Sequence, residues 1–454
     1  MFKKTPLAVS IVLMLTFSAA AMAADTAELQ QIHHEIQQLK ESYEARIQSL
    51  EARLKQAEAL AVKADEKANQ VAAAPVPVPA AGANSFNPAI SLILSGTYSN
   101  LSQDPANYRV TGYVPSGEIG PGQRGFSLAE SELGIYANID TDFYGGLNFA
   151  MHPDNTASVE EAFVQTLGLA KGLTIKAGRY FSGIAYLNEK HAHVWDFVDN
   201  PLAYQVFLGT QLGEDGLQLK WLAPTDTYLE LGAEIGRGRN FPGSSRDKNG
   251  AGASALFAHA GGDAGVNQSW RAGLSLLQTS PQNRQYSDVD AMGASVINAF
   301  TGNSRLWIAD FVWKYAPNGD PTYTNFTLQG EYLRRKEEGN LTYNVDAASA
   351  ISSYASAQSG WYVQGVYQFR PHWRVGLRTE RLSSGGVDYA DNNVNLLRPD
   401  YSPTKNSLML DYSPSEFSRV RLQFAQDKSR QGLPDNQVLL QYLMSLGAHG
   451  AHQY

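Results

Sequence analysis

The feature that most constrains this chain is a two-residue alternation of oily and charged side chains, recurring through residues 88–454. In residues 127–140, Leu133, Ile135, Ala137 and Ile139 hold one parity, and Glu130, Glu132, Tyr136, Asn138 and Asp140 the other. Successive side chains of a strand point to opposite faces, so this segment predicts a strand with one apolar and one polar side. The pattern returns as Leu173, Ile175 and Ala177 against Lys176, and as Leu229, Leu231, Ala233 and Ile235 against Glu230 and Glu234. Trp307, Phe311, Trp313 and Tyr315 face away from Asp310 and Lys314, and Trp361, Val363, Tyr367 and Phe369 away from Gln364, Gln368 and Arg370. Two late segments complete the series, Trp373, Val375 and Leu377 against Arg374, Arg378 and Glu380, then Val420, Leu422 and Phe424 against Arg421 and Gln423.

Alternation alone also fits a soluble sandwich. Three features favour a membrane barrel instead. Aromatic residues such as Trp307, Tyr315, Trp361, Phe369 and Trp373 lie on the oily face, as in the interfacial girdles of such barrels. The other face is too densely charged for a dry core and suits a water-filled lumen. The segment also accommodates about 16 strands at roughly 23 residues per strand and connection, enough for about 10 residues to cross a bilayer each time. Val438, Leu440, Tyr442, Met444 and Leu446 share the parity of the terminal Tyr454, which places a final aromatic on the oily face. Lipid tolerates no open sheet edge, so the strands must close into a ring. The expected fold is all-β, a transmembrane antiparallel barrel of about 16 strands over residues 88–454, preceded by an α-helical coiled coil.

Residues 1–23 have the layout of a secretory signal peptide: Lys3 and Lys4, an apolar run from Leu7 to Ala20, and the small-x-small sequence Ala21-Met22-Ala23. In residues 24–70, Leu29, Ile32, Ile36, Leu39, Tyr43, Ile47, Leu50 and Leu54 form a seam with steps of three and four, continued by alanines. That spacing predicts a self-associating coiled coil, with a stutter around Tyr43 where two steps of four adjoin. His33 and His34 are neighbours on this helix and point apart, so they form no metal pair. Residues 71–87 alternate Pro with Ala and Val and predict an extended spacer.

Composition removes several function classes. The chain has no Cys, which excludes disulfide scaffolds, Cys-ligated metal and a thiol nucleophile. Its formal charge of −8 argues against a broad basic surface for nucleic acid. Neither G-x-S-x-G, H-E-x-x-H nor a P-loop is present, so no enzyme is expected and no cofactor is implied.

The order of leader, short coil, Pro/Ala spacer and barrel resembles trimeric outer-membrane porins of the phosphate-selective and dicarboxylate type, which carry an N-terminal periplasmic coil. The local likeness is best from Leu128 to Leu208, through ESELGIYANID, VEEAFVQTLGL and LTIKAGRYFSG into YLNEKHAHVWDFVDNP. The resemblance implies a homotrimer of 16-stranded barrels in the outer membrane of a Gram-negative bacterium. It further implies loops folded into each pore, outer-membrane lipid as surroundings and the coil in the periplasm. The family's arginine ladder and lysine cluster do not match position by position, so phosphate selectivity is not carried over.

The expected function is passive diffusion of small hydrophilic solutes, anionic ones among them. The alternatives are a barrel that binds a ligand or zinc through its loops, or an adhesion barrel without an open pore. By parity the pore-lining candidates are Glu130, Glu132, Asp140, Lys176, Glu230, Glu234, Asp310, Lys314, Arg370, Arg374, Arg378 and Arg421. Acids dominate the early strands and arginines the late ones, so these charges either set a transverse field or pair within the wall. The polar excursion from Phe181 to Gln211 offers Glu189, Lys190, His191, His193, Asp196 and Asp199 as constriction-loop candidates. His191 and His193, two apart, could share one side of an extended segment and ligate a metal, with Asp196 and Asp199 close in sequence and His449 and His452 in the tail.

Overall fold

A computed structural model describes residues 88–114, 119–245, 247–317, 319–398 and 400–447, together with helical Gln37 and Lys40. The expected leader, the spacer and, those two residues apart, the coiled coil lie outside the described residues, as do His33, His34, His449 and His452.

Eighteen strand segments form one antiparallel sheet. Two pairs of segments are collinear on a shared partner, which leaves 16 staves. In chain order these are β1 (Ala89–Leu101), β2 (Gly125–Leu128 and Ser131–Asn138), β3 (Phe143–Met151) and β4 (Ala157–Thr166). They continue as β5 (Leu173–Phe181), β6 (Gly213–Leu222), β7 (Tyr228–Gly236) and β8 (Ala253–Asp263). Next come β9 (Gln268–Thr279 and Arg284–Val289), β10 (Ser295–Tyr315), β11 (Asn325–Tyr343) and β12 (Ala350–Arg370). The last are β13 (Trp373–Asp388), β14 (Thr404–Ser415), β15 (Ser418–Lys428) and β16 (Asp435–Gly447). Each pairs with its sequence neighbours, and β1 pairs with β16 from Ser91↔Gly447 to Leu101↔Gln437. The ring is closed, so no row of backbone N–H and C=O groups is left as an edge.

The connections sort by length to the two ends. One end has tight links, residues 371–372 and 416–417 among them; the other carries the long excursions 102–124, 182–212, 237–252 and 389–403.

Parity sorts the side chains as the alternation requires. Trp307, Phe311, Trp361, Val363, Leu377, Leu408, Phe424, Val438 and Leu440 are exposed on the outside, while Asp310, Gln364, Arg378, Arg421 and Gln423 are buried inside. Aromatic residues form two outer rings. At the tight-turn end, Trp313 contacts Tyr315 and Phe326 at 5.9 and 6.1 Å between ring centroids, and Trp373 meets Tyr412 at 4.7 Å. Nearer the long-loop end lie Trp307 and the directly paired Tyr332 and Trp361. Six to eight residues separate the two rings along a strand, roughly 20–26 Å at about 3.3 Å per residue. An apolar band of about 25 Å is what a bilayer core demands of such a barrel. Strands β10–β13 run on past the second ring, and from that ring outward charged residues take outward positions: Arg334 and Arg381 are exposed opposite Trp307 and Trp361, and Arg305 and Lys336 are exposed one outward position farther along.

The interior is not uniformly polar. Leu306, Ile308, Leu333, Tyr362 and Leu382 point inward and are buried beneath Ile184, Leu187, Leu202, Val206 and Phe207 of the 182–212 excursion. That excursion therefore lies inside the barrel, its short helix α1 (Leu202–Leu208) resting on the wall. Gly360 of β12 lies beneath the helix, where an added Cβ would stand 3.2 Å from the Phe207 ring and 2.4 Å from Leu382.

Candidate functional site

The inward loop keeps its backbone satisfied by borrowing side chains from the wall. The amides of Gly183 and Leu187 donate to Glu234 and Glu331 at 2.8 and 3.1 Å, and that of Ala185 to the Ser275 hydroxyl at 3.2 Å. Farther along, the amides of Val198 and Leu202 donate to Gln423 and Glu380. Buried amides demand partners, and the inward side chains of five strands supply them, three of these being carboxylates. Some wall acids are thus anchors for the loop.

Ion pairs finish the docking. Asp199 accepts from Arg378 Nη2 at 2.9 Å and from Gln423 at 2.8 Å, and it also pairs with Lys405. Burial disfavours its charge, but the Lys405 and Arg378 cations outweigh that and hold its carboxyl below the ordinary aspartate range. Asp196 pairs with Arg374 at 2.8 Å and accepts from Gln364 at 3.1 Å. Glu189 meets Lys220 at 2.6 Å; against the effect of burial, Lys220 lowers the Glu189 carboxyl to about 2. Lys190 sits 4.5 Å over the Tyr186 ring, on which the Arg271 guanidinium also rests at 5.2 Å. Burial, with Lys314 and Arg271 nearby, lowers the Lys190 ammonium to about 8.

The two histidines reach opposite oxygens of one carboxylate, that of Glu132. His191 Nδ1 lies 3.2 Å from both Glu132 and Glu160, and its Nε2 lies 3.1 Å from Glu161. His193 Nδ1 is 2.8 Å from the other oxygen of Glu132. Burial works against a charged imidazole, yet Glu132, Glu160 and Glu161 together raise His191 well above its usual value. Asp196 and Asp199 are turned away to arginines and lysine, so they do not join the histidines.

Beside the loop lies a cavity of about 1920 Å³, lined by wall residues Lys176, Lys220, Glu230, Arg271 and Lys314 and by loop residues Glu189, Lys190 and Asp196. Of the remaining parity candidates, Glu230 meets His259 at 3.0 Å, Glu234 accepts from Gln218 at 2.7 Å, and Asp310 pairs with Arg271 at 3.2 Å. Lys176 lies 4.5 Å over the Phe163 ring. Glu130 stands at the break in β2, 3.7 Å from His152. Arg421 is held by Asp411 at 2.8 and 3.1 Å, and Arg374 reaches the same carboxylate. Of the two expectations for the late arginines, pairing is what Arg374, Arg378 and Arg421 adopt, with loop and wall carboxylates as partners.

Two positions depart from parity. Asp140 is exposed in the β2–β3 turn, where its carboxylate accepts from the amides of Asp142 and Phe143, both at 2.8 Å; chain reversal removes it from the inner face. Arg370 is exposed beside the two-residue β12–β13 link, after a register shift between Gln368 and Arg370. Its guanidinium covers the Trp373 ring at 5.2 Å, outside the lumen.

Parity also missed residues that belong to the site, among them Asn148, Glu160, Glu331, Lys405 and Asp411. Glu160 left a visible signal, since the adjacent acids Glu160 and Glu161 interrupt strict alternation. The register jumps there from Asn148↔Glu161 to Phe149↔Val159, so Glu160 is the extra residue of a β-bulge, and both glutamates reach the loop.

No protein-family model matches the chain. An uncharacterized protein of Aquifex aeolicus (strain VF5) is 31% identical over 402 residues, covering 81% of this chain and 80% of its own. Among solved structures, the trimer form of the outer membrane protein OmpT of Vibrio cholerae aligns at 10% identity and a TM-score of 0.48, covering 79% of this chain and 99% of its own. The anion-selective porin from Comamonas acidovorans aligns at 10% identity and a TM-score of 0.46, with the same coverages of 79% and 99%.

Proposed function

We propose that this chain, which belongs to one family with the Aquifex aeolicus protein, is an outer-membrane porin through which small hydrophilic solutes diffuse passively. The observation that carries this reading is a charged cavity of about 1920 Å³ inside a closed ring whose outer surface is an apolar band between two aromatic rings. Only lipid makes such an outer surface favourable, and only water makes such an inner one favourable.

The inward loop narrows the path and sets its chemistry. Lys176, Lys190 and Lys314 share the cavity wall with Glu189, Asp196 and Glu230, and those carboxylates are drawn to Lys220, Arg374 and His259, so the lysines are the groups offered to anionic solutes. The heptad seam of residues 24–70 supports assembly into a homotrimer with its coil in the periplasm. Insertion of the purified protein into planar bilayers tests the reading. Discrete open steps with a reversal potential on the anion side are expected. A folded, inserted barrel that stays electrically silent refutes it.

A further inference from the structure

We propose that Glu132, Glu160 and His191 bind a divalent transition-metal ion of the zinc class, which fastens the inward loop to the barrel wall. Glu132, Glu160 and His191 each bring one donor atom within 4.8 Å of the other two, and Oε2 of Glu132 and Oε2 of Glu160 both lie 3.2 Å from Nδ1 of His191. A tetrahedral ion with bonds of about 2.0–2.2 Å keeps its donors roughly 3.3–3.6 Å apart, so the imidazole needs to draw back from each carboxylate by only a few tenths of an ångström. One imidazole and two carboxylates make a borderline donor set suited to zinc or manganese.

The surrounding groups are arranged as supports for such ligands. A ligating histidine gives its other ring nitrogen to a carboxylate, which fixes tautomer and ring angle; here Nε2 of His191 faces Glu161 at 3.1 Å. The second oxygen of Glu132 is held by His193 at 2.8 Å. The bulge at Glu160 has a use in this light, since it turns an otherwise outward residue onto the triad.

Asn148 gives an independent indication. Its side chain is 2% exposed and aims its Nδ2 at Glu132, Glu160 and His191, at 3.0, 3.3 and 3.1 Å, while its Oδ1 is buried without a partner. Exchanging the two ends of the amide turns that orphaned oxygen onto the triad as a fourth donor. His191 lines the cavity, so an ion has a route in.

The test uses the full-length protein in detergent, stripped with a chelator and titrated with zinc chloride by calorimetry, with folding checked by the heat-dependent shift of barrel mobility on gels. One zinc per chain is expected. Glu160→Gln, which conserves volume, weakens it at least ten-fold, and His191→Ala abolishes saturation. Glu161→Gln weakens it about 10–100-fold at unchanged stoichiometry. Asp320→Asn, in an exposed turn, changes nothing. Failure of the folded wild type to bind zinc overturns the proposal. So does undiminished binding in Glu160→Gln and His191→Ala, which puts the ion elsewhere, for instance on His449 and His452. Because stoichiometry is read without current, a negative result leaves the conductance test standing.

Discussion

Arg378 on β13 and Asp199 on the inward loop are separated by 179 residues and meet at 2.9 Å, beside Lys405 of β14 and Gln423 of β15. One carboxylate thus ties the loop to three adjacent staves. Removing one partner of a buried ion pair typically costs about 3–5 kcal/mol, because the cations left behind remain desolvated. Asp199→Asn is expected to release this part of the loop, lowering the temperature of the gel-mobility transition and exposing residues 182–212 to protease. Unchanged protease resistance counts against an anchoring role.

The same contact predicts an acid dependence. The Asp199 carboxyl is held below its ordinary range, so its contribution to stability is fully present above about pH 3.9 and fades as pH falls through its lower native value. The stability difference between wild type and Asp199→Asn is expected to be flat above about pH 5 and to shrink below pH 3.9. Thermal unfolding in detergent across that range measures it.

Selectivity is expected to follow the cavity's basic side. Lys314→Glu exchanges a cation for an anion beside Lys190 and Arg271. At about 1 kcal/mol per close charge pair in water, the anion-to-cation permeability ratio falls at least five-fold. Reversal potentials in a salt gradient read the change directly.

The outer band makes a separate prediction. Leu377 is 64% exposed and lies between the two aromatic rings on β13, whereas Arg381 is exposed at the second ring, opposite Trp361. Leu377→Arg places a charge in hydrocarbon and is expected to destabilise the barrel by about 2–4 kcal/mol in lipid. Urea unfolding in liposomes checks this. An effect near zero argues that the surface meets water.

Helix α1 holds the loop by apolar packing. Phe207 is fully buried, 5.9 Å from the Tyr113 ring and under the guanidinium of Arg335 at 5.2 Å. Phe207→Ala is expected to cost about 3–5 kcal/mol of loop docking and to raise single-channel conductance and open-channel noise. A conductance equal to wild type shows that the helix does not limit the path.

The barrel was legible in the sequence because period-two alternation is a local property. The sides of Trp307, Asp310, Leu377 and Arg378 follow from parity alone. What was not legible depends on where the chain reverses or gains a residue. Asp140 and Arg370 sit at hairpins, where parity stops carrying meaning, and Glu160 sits in a bulge that resets it. The partners of Asp199 come from strands more than 170 residues away, and no local pattern announces them. Nor could parity distinguish Leu306 and Leu333, inward and oily beneath the loop, from an error in register.

Strands β10–β13 are the longest unbroken ones, and their consequence is vertical position. A ring of equal staves floats at whatever depth its belt allows. Here Arg305, Arg334, Lys336 and Arg381 form a collar on one flank that resists sinking into lipid, while the aromatics beside and below them resist rising out of it. Depth and tilt are therefore set unevenly around the circumference, and the mouth sits with one shoulder higher than the other.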